Sequence, residues 1–449
     1  MSKDKAITNN QLRITNRKAI TNYESSITDE DESPNSNIPD LRFPEFEKDG
    51  EWEIQEVGEI FQVTRGYVLS MTLVKELPTE EYPYPVFSSQ TKNNGLAGYY
   101  NEYLHEDAIT WTTDGANAGD VNYRDGKFYC TNVCGVLLNE EGFANLCIAE
   151  LINSVSKKHV SYVGNPKLMN GVMSKIQIPV PSIPEQQKIA ACLSSLDDLL
   201  AAHNDKLAAL KDHKKGLLQH LFPNSITNYE SSITDEDDPF VIRNLPKLRF
   251  PEFEGDGEWV ETKLNEIADI KRGAASNHLN YVNQDHPKAI RLLRINDFLN
   301  NQAVFVEDTE DMKRFRVVKD DILIAGTGAT AGITFMVPER FHNLSYSYNA
   351  PRIRVTDCDK VFVYQFLKSD NIITQQRQMF VGNAQPFLDT KAIGNFLLSI
   401  PKNLLEQQKI ASCISAVDEL ITAQQEKIEH LQQHKKGLMQ GLFPKSITN

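Results

Sequence analysis

The chain has 449 residues, 40% hydrophobic and 24% charged, the balance of a globular protein long enough for two or more sizeable cores. Its formal net charge of −14 excludes a uniformly basic nucleic-acid binder, yet three stretches (41–60, 229–240 and 248–270) each carry −5 and leave the other 394 residues at about +1, so local pattern decides what the chain binds. No apolar run approaches the eighteen or so residues that span a bilayer and no secretory signal is legible at the start; a cytoplasmic protein without a membrane partner is expected.

Residues 1–50 read as a flexible leader that ends in the start of a first repeat. AITN (6–9), RITN (13–16) and AITN (19–22) recur in it, SITN returns at 225–228 and 446–449, and SSITDED appears at both 25–31 and 231–237. Such Ser/Thr/Asn/Asp-rich stretches bury no core and read as linkers. LRFPEFE at 41–47 then returns whole at 248–254, and Trp52 has its partner in Trp259, an offset of 207. The first globular segment, 51–183, mixes apolar strand-like runs such as ITWTT (109–113) and CGVLLN (134–139) with Gly/Asn turns. Cys130 and Cys134 are spaced C-x3-C with no second pair to complete a zinc site, so no metal is expected.

A helix is predicted over 184–223. Positions 189, 193, 196, 200, 203, 207, 210, 214, 217 and 221 alternate steps of four and three, a coiled-coil seam. Its apolar members are led by Ile189, Leu193, Leu196, Leu200, Leu207 and Leu210. An acidic linker follows at 224–257, then a second globular segment at 258–403 containing DILIAG (321–326) and the helical VFVYQFLKS (361–369). A second helix over 404–444 repeats the seam as Ile410, Ile414, Val417, Ile421, Ile428 and Leu431, and 445–449 is a tail. EQQKIA (185–190), HKKGL (213–217) and LFP (221–223) all recur 221 residues later, and 22 of 40 positions agree between 185–224 and 406–445. His203 and Lys214 interrupt the first seam where Gln424 and Lys435 interrupt the second; polar inclusions of this kind fix register. Cys192 and Cys413, also 221 apart, read as small core residues. The economical arrangement is that the two helices pair antiparallel in a rod of roughly 57 Å with a globular domain at each end. The fold class expected is therefore two α/β (α+β) domains separated by two long helices in an antiparallel coiled coil, a pseudo-two-fold circular repeat.

Catalytic patterns are missing. No Asn-Pro-Pro-Tyr or Asp-Pro-Pro-Tyr motif and no Walker A loop occurs. GTGATAG (326–332) has G-x-G-x3-G spacing and its counterpart DGANAG lacks the first glycine, so a tight turn beside a strand is expected there instead of a cofactor loop. No catalytic residue is nominated.

Two unlike globular segments alternating with two like helices, together with LRFPEFE, Gly50-Glu51-Trp52 and Gly257-Glu258-Trp259, the EQQKI helix start, and HKKGLLQHLFP with HKKGLMQGLFP, resemble the specificity subunit of type I restriction–modification systems. The resemblance covers nearly the whole chain beyond residue 40. It implies a non-catalytic subunit in which each globular segment is a target recognition domain that reads one half of a split site on double-stranded DNA. It implies that the helices set half-site spacing and dock two methyltransferase subunits, with restriction subunits added in systems that cut. It further implies adenine-N6 methylation, with S-adenosylmethionine, ATP and Mg on the partners and no cofactor on this chain. The loops differ between the copies, SSQTKNNG (88–95) having no match in AASNHLNYVNQDHP (274–287), so an asymmetric target is expected; near-identical domains would imply a palindrome.

Base edges are read by Arg or Lys to guanine and by Asn or Gln to adenine. The DNA-contact candidates are Arg65, Gln90, Lys92, Asn93 and Asn94 in the first segment, and Lys271, Arg272, Asn277, Asn383 and Gln385 in the second. Arg65-Gly66 and Arg272-Gly273 correspond, and a residue shared by both copies is expected to touch phosphate or hold the fold, not read a base. LRFPEF and the tryptophans read as packing at the start of each domain. His213-Lys214-Lys215 and His434-Lys435-Lys436 read either as helix-end caps or as a face for phosphate or a partner. The competing accounts are a duplicated coiled-coil scaffold without a DNA-reading role, and an endonuclease or methyltransferase active on its own.

Overall fold

The computed structural model describes residues 37–89, 93–223, 244–300, 302–380 and 386–445. The chain divides into two compact units, 1–199 with 431–449, and 200–430. The described residues 37–199 and 431–445 thus belong to one unit, as a circular repeat requires. Among the described residues no helix is long and apolar enough to cross a membrane.

The first unit is built on a six-stranded sheet in the order Gln62–Arg65, Cys134–Leu138, His105–Thr112, Val121–Cys130, Tyr84–Phe87, Leu96–Tyr100. Neighbours run antiparallel except Tyr84–Phe87, which lies parallel to Val121–Cys130. Strand alternation sends Ile109, Trp111 and Leu137 to one face, against Ile148, Leu151 and Ile152 of helix Leu146–Ser156. Ala108, Phe128, Cys134 and Val136 fill the other face beside Phe87. Both faces are covered at Cys134–Leu138, which reads in sequence as a continuous apolar run. Cys130 and Cys134 lie in that packing, and burial pushes the Cys134 thiol up to about 11.

The second unit instead carries two four-stranded sheets. One runs Ala268–Lys271, Arg352–Val355, Ile322–Ile324, Thr334–Met336; the other Tyr281–Val282, Phe305–Glu307, Ala289–Leu293, Ser345–Tyr346. Ile322, Ile324, Ile353 and Val355 pack on Phe362, Val363, Phe366 and Ile372 from helices Lys360–Phe366 and Asp370–Phe380. Each unit also has a two-stranded ribbon that joins its ends: Glu53–Glu56 with Gln177–Val180, and Val260–Lys263 with Leu397–Ile400.

The long helices are Ile183–Leu221 and Leu404–Leu442, 39 residues each. The first begins one residue ahead of Pro184, in the first turn, where the missing N–H is no loss. Their antiparallel pairing is visible inside each unit. In the first, Lys435 Nζ donates to Asp197 Oδ1 at 2.6 Å, and Ile189 and Leu193 share a core with Leu438 and Leu442. In the second, Lys214 Nζ donates to Asp418 Oδ1 at 2.6 Å, and Leu217 and Leu221 share a core with Ile410 and Ile414. Ile189, Leu193, Leu196, Leu200, Leu207 and Leu210 are all buried or half-buried, as are Ile410, Ile414, Val417, Ile421, Ile428 and Leu431. Gln424 Nε2 lies 2.7 Å from both Nδ1 and the carbonyl oxygen of His203, so one polar interruption is met by its own copy. The other, Lys214 and Lys435, reaches across to aspartates 221 residues apart and caps no helix end. Cys192 and Cys413, one position off the seam residues Leu193 and Ile414, are half-buried: Cys413 packs against the second core as expected, whereas Cys192 lies at the margin of the first.

Candidate nucleic-acid interface

The repeated motifs meet in a buried clamp that each unit builds once. Arg42 donates through Nε and Nη2 to the two carboxylate oxygens of Glu185 at 2.7 and 2.8 Å, and Trp52 Nε1 donates to the same group at 3.2 Å. Arg249 grips Glu406 at 2.7 and 2.8 Å, with Trp259 Nε1 at 3.2 Å. Glu185 and Glu406 are 1% and 0% exposed. A fork-on-carboxylate pair of this geometry satisfies both charges away from water, and the Glu185 carboxylate raises the pKa of Arg42 further. Gln186 and Gln407, next in the helix, donate to the carbonyls of Pro181 and Pro401 at 2.8 and 2.9 Å. Lys188 and Lys409 pair with Glu45 and Glu252 of the PEF turns. EQQK therefore fastens the helix start to LRFPEF. The segment is fixed again at Leu41, whose N–H donates to Gly441 O at 2.7 Å, and at Leu248, which donates to His220 O at 2.9 Å. The carboxylates at the centre of the clamp are buried and only the Lys188–Glu45 and Lys409–Glu252 pairs reach its surface, in agreement with the reading of LRFPEF and the tryptophans as packing.

A second shared element lies inside the otherwise unlike domains. Gly66 passes so close to the neighbouring chain that an added Cβ would sit 2.1 Å from Cys130 O, and Gly273 stands equally close, 2.2 Å, to Tyr346 O. Only glycine fits either place. Thr131 N donates to Phe87 O at 2.9 Å where Ser347 N donates to Leu293 O at 3.0 Å. The glycine turns at Gly115 and Gly328, both with positive φ, donate to Pro166 O and Pro386 O at 3.0 Å each. Thr113 O and Gly326 O in turn accept from Leu168 and Leu388 at 3.0 and 2.8 Å. GTGATAG is thus a tight turn at a strand end, bonded to a following loop in both units.

The predicted contact residues fall around this turn unevenly. Arg65 ends its strand exposed, with Nη2 3.2 Å from Asn170 Oδ1. Arg272, its counterpart, lies over the rings of Tyr348 and Phe387, 4.2 and 5.1 Å to their centroids. Asn93 and Asn94 form a left-handed corner with φ of 50° each, and Asn94 O accepts from Arg124 Nη2 at 2.7 Å. Lys271 is exposed beside Asp269 at 3.2 Å. Asn277 borders a cavity with His278 and Asn280 that Arg272 does not line. Gln90, Lys92, Asn383 and Gln385 lie outside the described residues.

Sequence reasoning missed Arg124. Its guanidinium stacks on Phe87 at 3.7 Å, donates to Thr110 Oγ1 at 2.9 Å, and faces a cavity of about 210 Å³ bordered by Asn94, Asn117 and Asn122. Burial without a carboxylate pushes its pKa down to about 10. Nothing in VNYRDGKF marks this arginine as different from any strand-surface charge. Among the described residues no cluster of His, Cys, Asp and Glu could hold a metal ion.

This architecture, a twice-built helix clamp carrying two unlike sheet domains, matches known proteins. The type I restriction modification DNA specificity domain matches residues 49–212 and again 256–433. The chain belongs to that family: it is a DNA specificity subunit, and catalysis lies in the partner subunits. It is 24% identical over 438 residues to the MjaVIII type I restriction enzyme specificity subunit of Methanocaldococcus jannaschii, covering 91% of this chain and 94% of the relative. A putative type I specificity subunit N-terminus from Mycoplasma pneumoniae is 39% identical over 142 residues, 31% of this chain and 74% of the relative. Among solved structures, a type I restriction–modification S subunit from M. genitalium matches with a TM-score of 0.59 and 17% identity, covering 90% of this chain and 99% of that one; the likeness is one of fold.

Proposed function

We propose that the chain reads an asymmetric, split DNA target, with 51–183 reading one half-site and 258–403 the other, and directs adenine-N6 methylation by two methyltransferase subunits. The observation that carries this reading is the contrast between frame and cargo. The clamp recurs in the two units with the same arginine, tryptophan and glutamate, whereas one unit holds a six-stranded sheet and the other two four-stranded sheets. A repeated frame suits a partner bound twice; unlike cargo suits two different sequences. S-adenosylmethionine, ATP and Mg belong on this reading to the partners. The spacer helices at 184–223 and 404–444 supply the docking faces, and restriction subunits join in systems that cut. The test is genome-wide mapping of adenine-N6 methylation in a host that expresses this chain with an adjacent-gene methyltransferase, beside a host lacking the chain. A split asymmetric motif that depends on the chain is expected. Methylation independent of the chain contradicts the reading, and failure of the two proteins to co-purify brings forward the scaffold account.

A further inference from the structure

Nine arginines among the described residues are buried or half-buried, and six of them are paired with carboxylates: Arg42, Arg249, Arg291, Arg316, Arg352 and Arg354. Arg272 is held by aromatic rings. The remaining two are Arg294 and Arg124, which stacks on Phe87 and bonds Thr110 and Asn94 but is paired with no carboxylate; each borders a cavity, and the cavities correspond. The first, of about 210 Å³, is bordered by Ser88, Thr110, Asn117 and Asn122 with Arg124. The second, of about 450 Å³, is bordered by Ser276, Asn296, Thr330, Ser347 and Asn349 with Arg294. Asn117 and Thr330 stand two residues after the equivalent turn glycines Gly115 and Gly328. Ser88 and Arg294 directly follow Phe87 and Leu293, the strand residues whose carbonyls accept the matching bonds from Thr131 and Ser347. Both cavities therefore open beside the one loop system that the unlike domains share, although their arginines come from different positions.

The chemistry of the linings is that of an anion seat. Hydroxyls and side-chain amides line each cavity together with apolar groups, Trp111 and Val121 in the first and Leu279, Leu292 and Ile295 in the second; neither guanidinium is paired with a carboxylate, and Nε of Arg294 is buried without any hydrogen-bond partner. Asp120, the one carboxylate on the first cavity, is engaged by Lys157 at 2.7 Å; none borders the second. A recessed cation suits a group that projects from its carrier, as a phosphate projects from a duplex, better than a base edge lying inside a groove. We infer that each unit carries a phosphodiester seat, centred on Arg124 in one and Arg294 in the other, which grips one DNA backbone phosphate irrespective of sequence.

The inference rests on the DNA-reading account above, and its test separates the two. The full methyltransferase complex is titrated with a duplex carrying its mapped motif and with an unrelated duplex, across a range of chloride concentrations. Arg124→Gln and Arg294→Gln are each expected to weaken both duplexes by the same factor, about tenfold for one charge-assisted bond. Each should reduce the slope of log K against log salt by about one, while the methylated motif stays unchanged. Arg→Lys at either position should restore the slope. Arg294 makes no hydrogen bond whose loss would unfold the unit, so its variants decide if Arg124→Gln is insoluble. An unchanged slope with full wild-type binding overturns the seats alone, and a variant that alters one base of the motif overturns them in favour of base reading. Inorganic phosphate, added at constant ionic strength, identifies the source. Competition with DNA in the wild type that is lost in the variants supports the seats. Phosphate binding that leaves DNA affinity and slope untouched overturns DNA as their ligand. A wild-type complex without salt-sensitive DNA binding overturns the DNA-reading account itself.

Discussion

Arg42 and Glu185 are 143 residues apart, and what holds them together is mutual dependence: each charge is buried and each satisfies the other. Removing one side leaves the other charged and dry, a loss of about 3 kcal/mol or more. Glu185→Ala should therefore lower the melting temperature of the first unit by roughly 6–12 °C, and Glu406→Ala should do the same in the second, as read by calorimetry. A change of under a degree would mean that the clamp is ornamental. His105 makes a subtler prediction. It is half-buried with Nε2 unpartnered, and burial holds its pKa below the ordinary 6.5. With a depressed folded-state pKa, the unfolded chain binds the proton more readily, so stability present above about pH 6.5 is lost as pH falls. His105→Phe should flatten the fall in melting temperature between pH 7.5 and 5.5 relative to wild type; parallel curves would refute the assignment. At this scale the sequence was half legible. LRFPEFE, the tryptophans and EQQKIA stood out as repeats, but the first two recur at an offset of 207 and the last at 221. The spacing thus showed which residues were kept and not that they touch. Arg124 was invisible, because what distinguishes it is the absence of a carboxylate brought near by folding.

The long helices were the most legible elements, since a seam of alternating threes and fours needs only local spacing to be recognised. What the pattern could not reveal is how its interruptions are satisfied. The antiparallel pairing sets His203 against Gln424 and sends Lys214 and Lys435 to Asp418 and Asp197, the same aspartate position in both copies. Gln424→Leu alone should destabilise the second unit by about 1 kcal/mol, because it strips His203 of its partner. His203→Leu with Gln424→Leu should regain that loss or exceed it, since two leucines extend the apolar seam. Chemical denaturation of the single and double variants measures both, and a double variant weaker than the single would show that the polar pair is itself the stabilising contact. The sheets were less legible. Runs such as CGVLLN signalled strands, but the parallel neighbour of Val121–Cys130 and the split of the second domain into two sheets depend on contacts distant in sequence.

Across the whole molecule, a circular repeat brings residues 431–445 into the unit of residues 37–199, and the same clamp starts each domain. A domain that fits one clamp should fit the other, so the recognition segments behave as interchangeable cargo. The most direct test is a chimera in which residues 258–403 are replaced by a second copy of 51–183, purified with its methyltransferase and assayed by adenine-N6 methylation mapping. The account predicts a split palindrome whose two halves both match one half of the wild-type motif. An unchanged asymmetric motif, or a motif in which neither half survives, would contradict it.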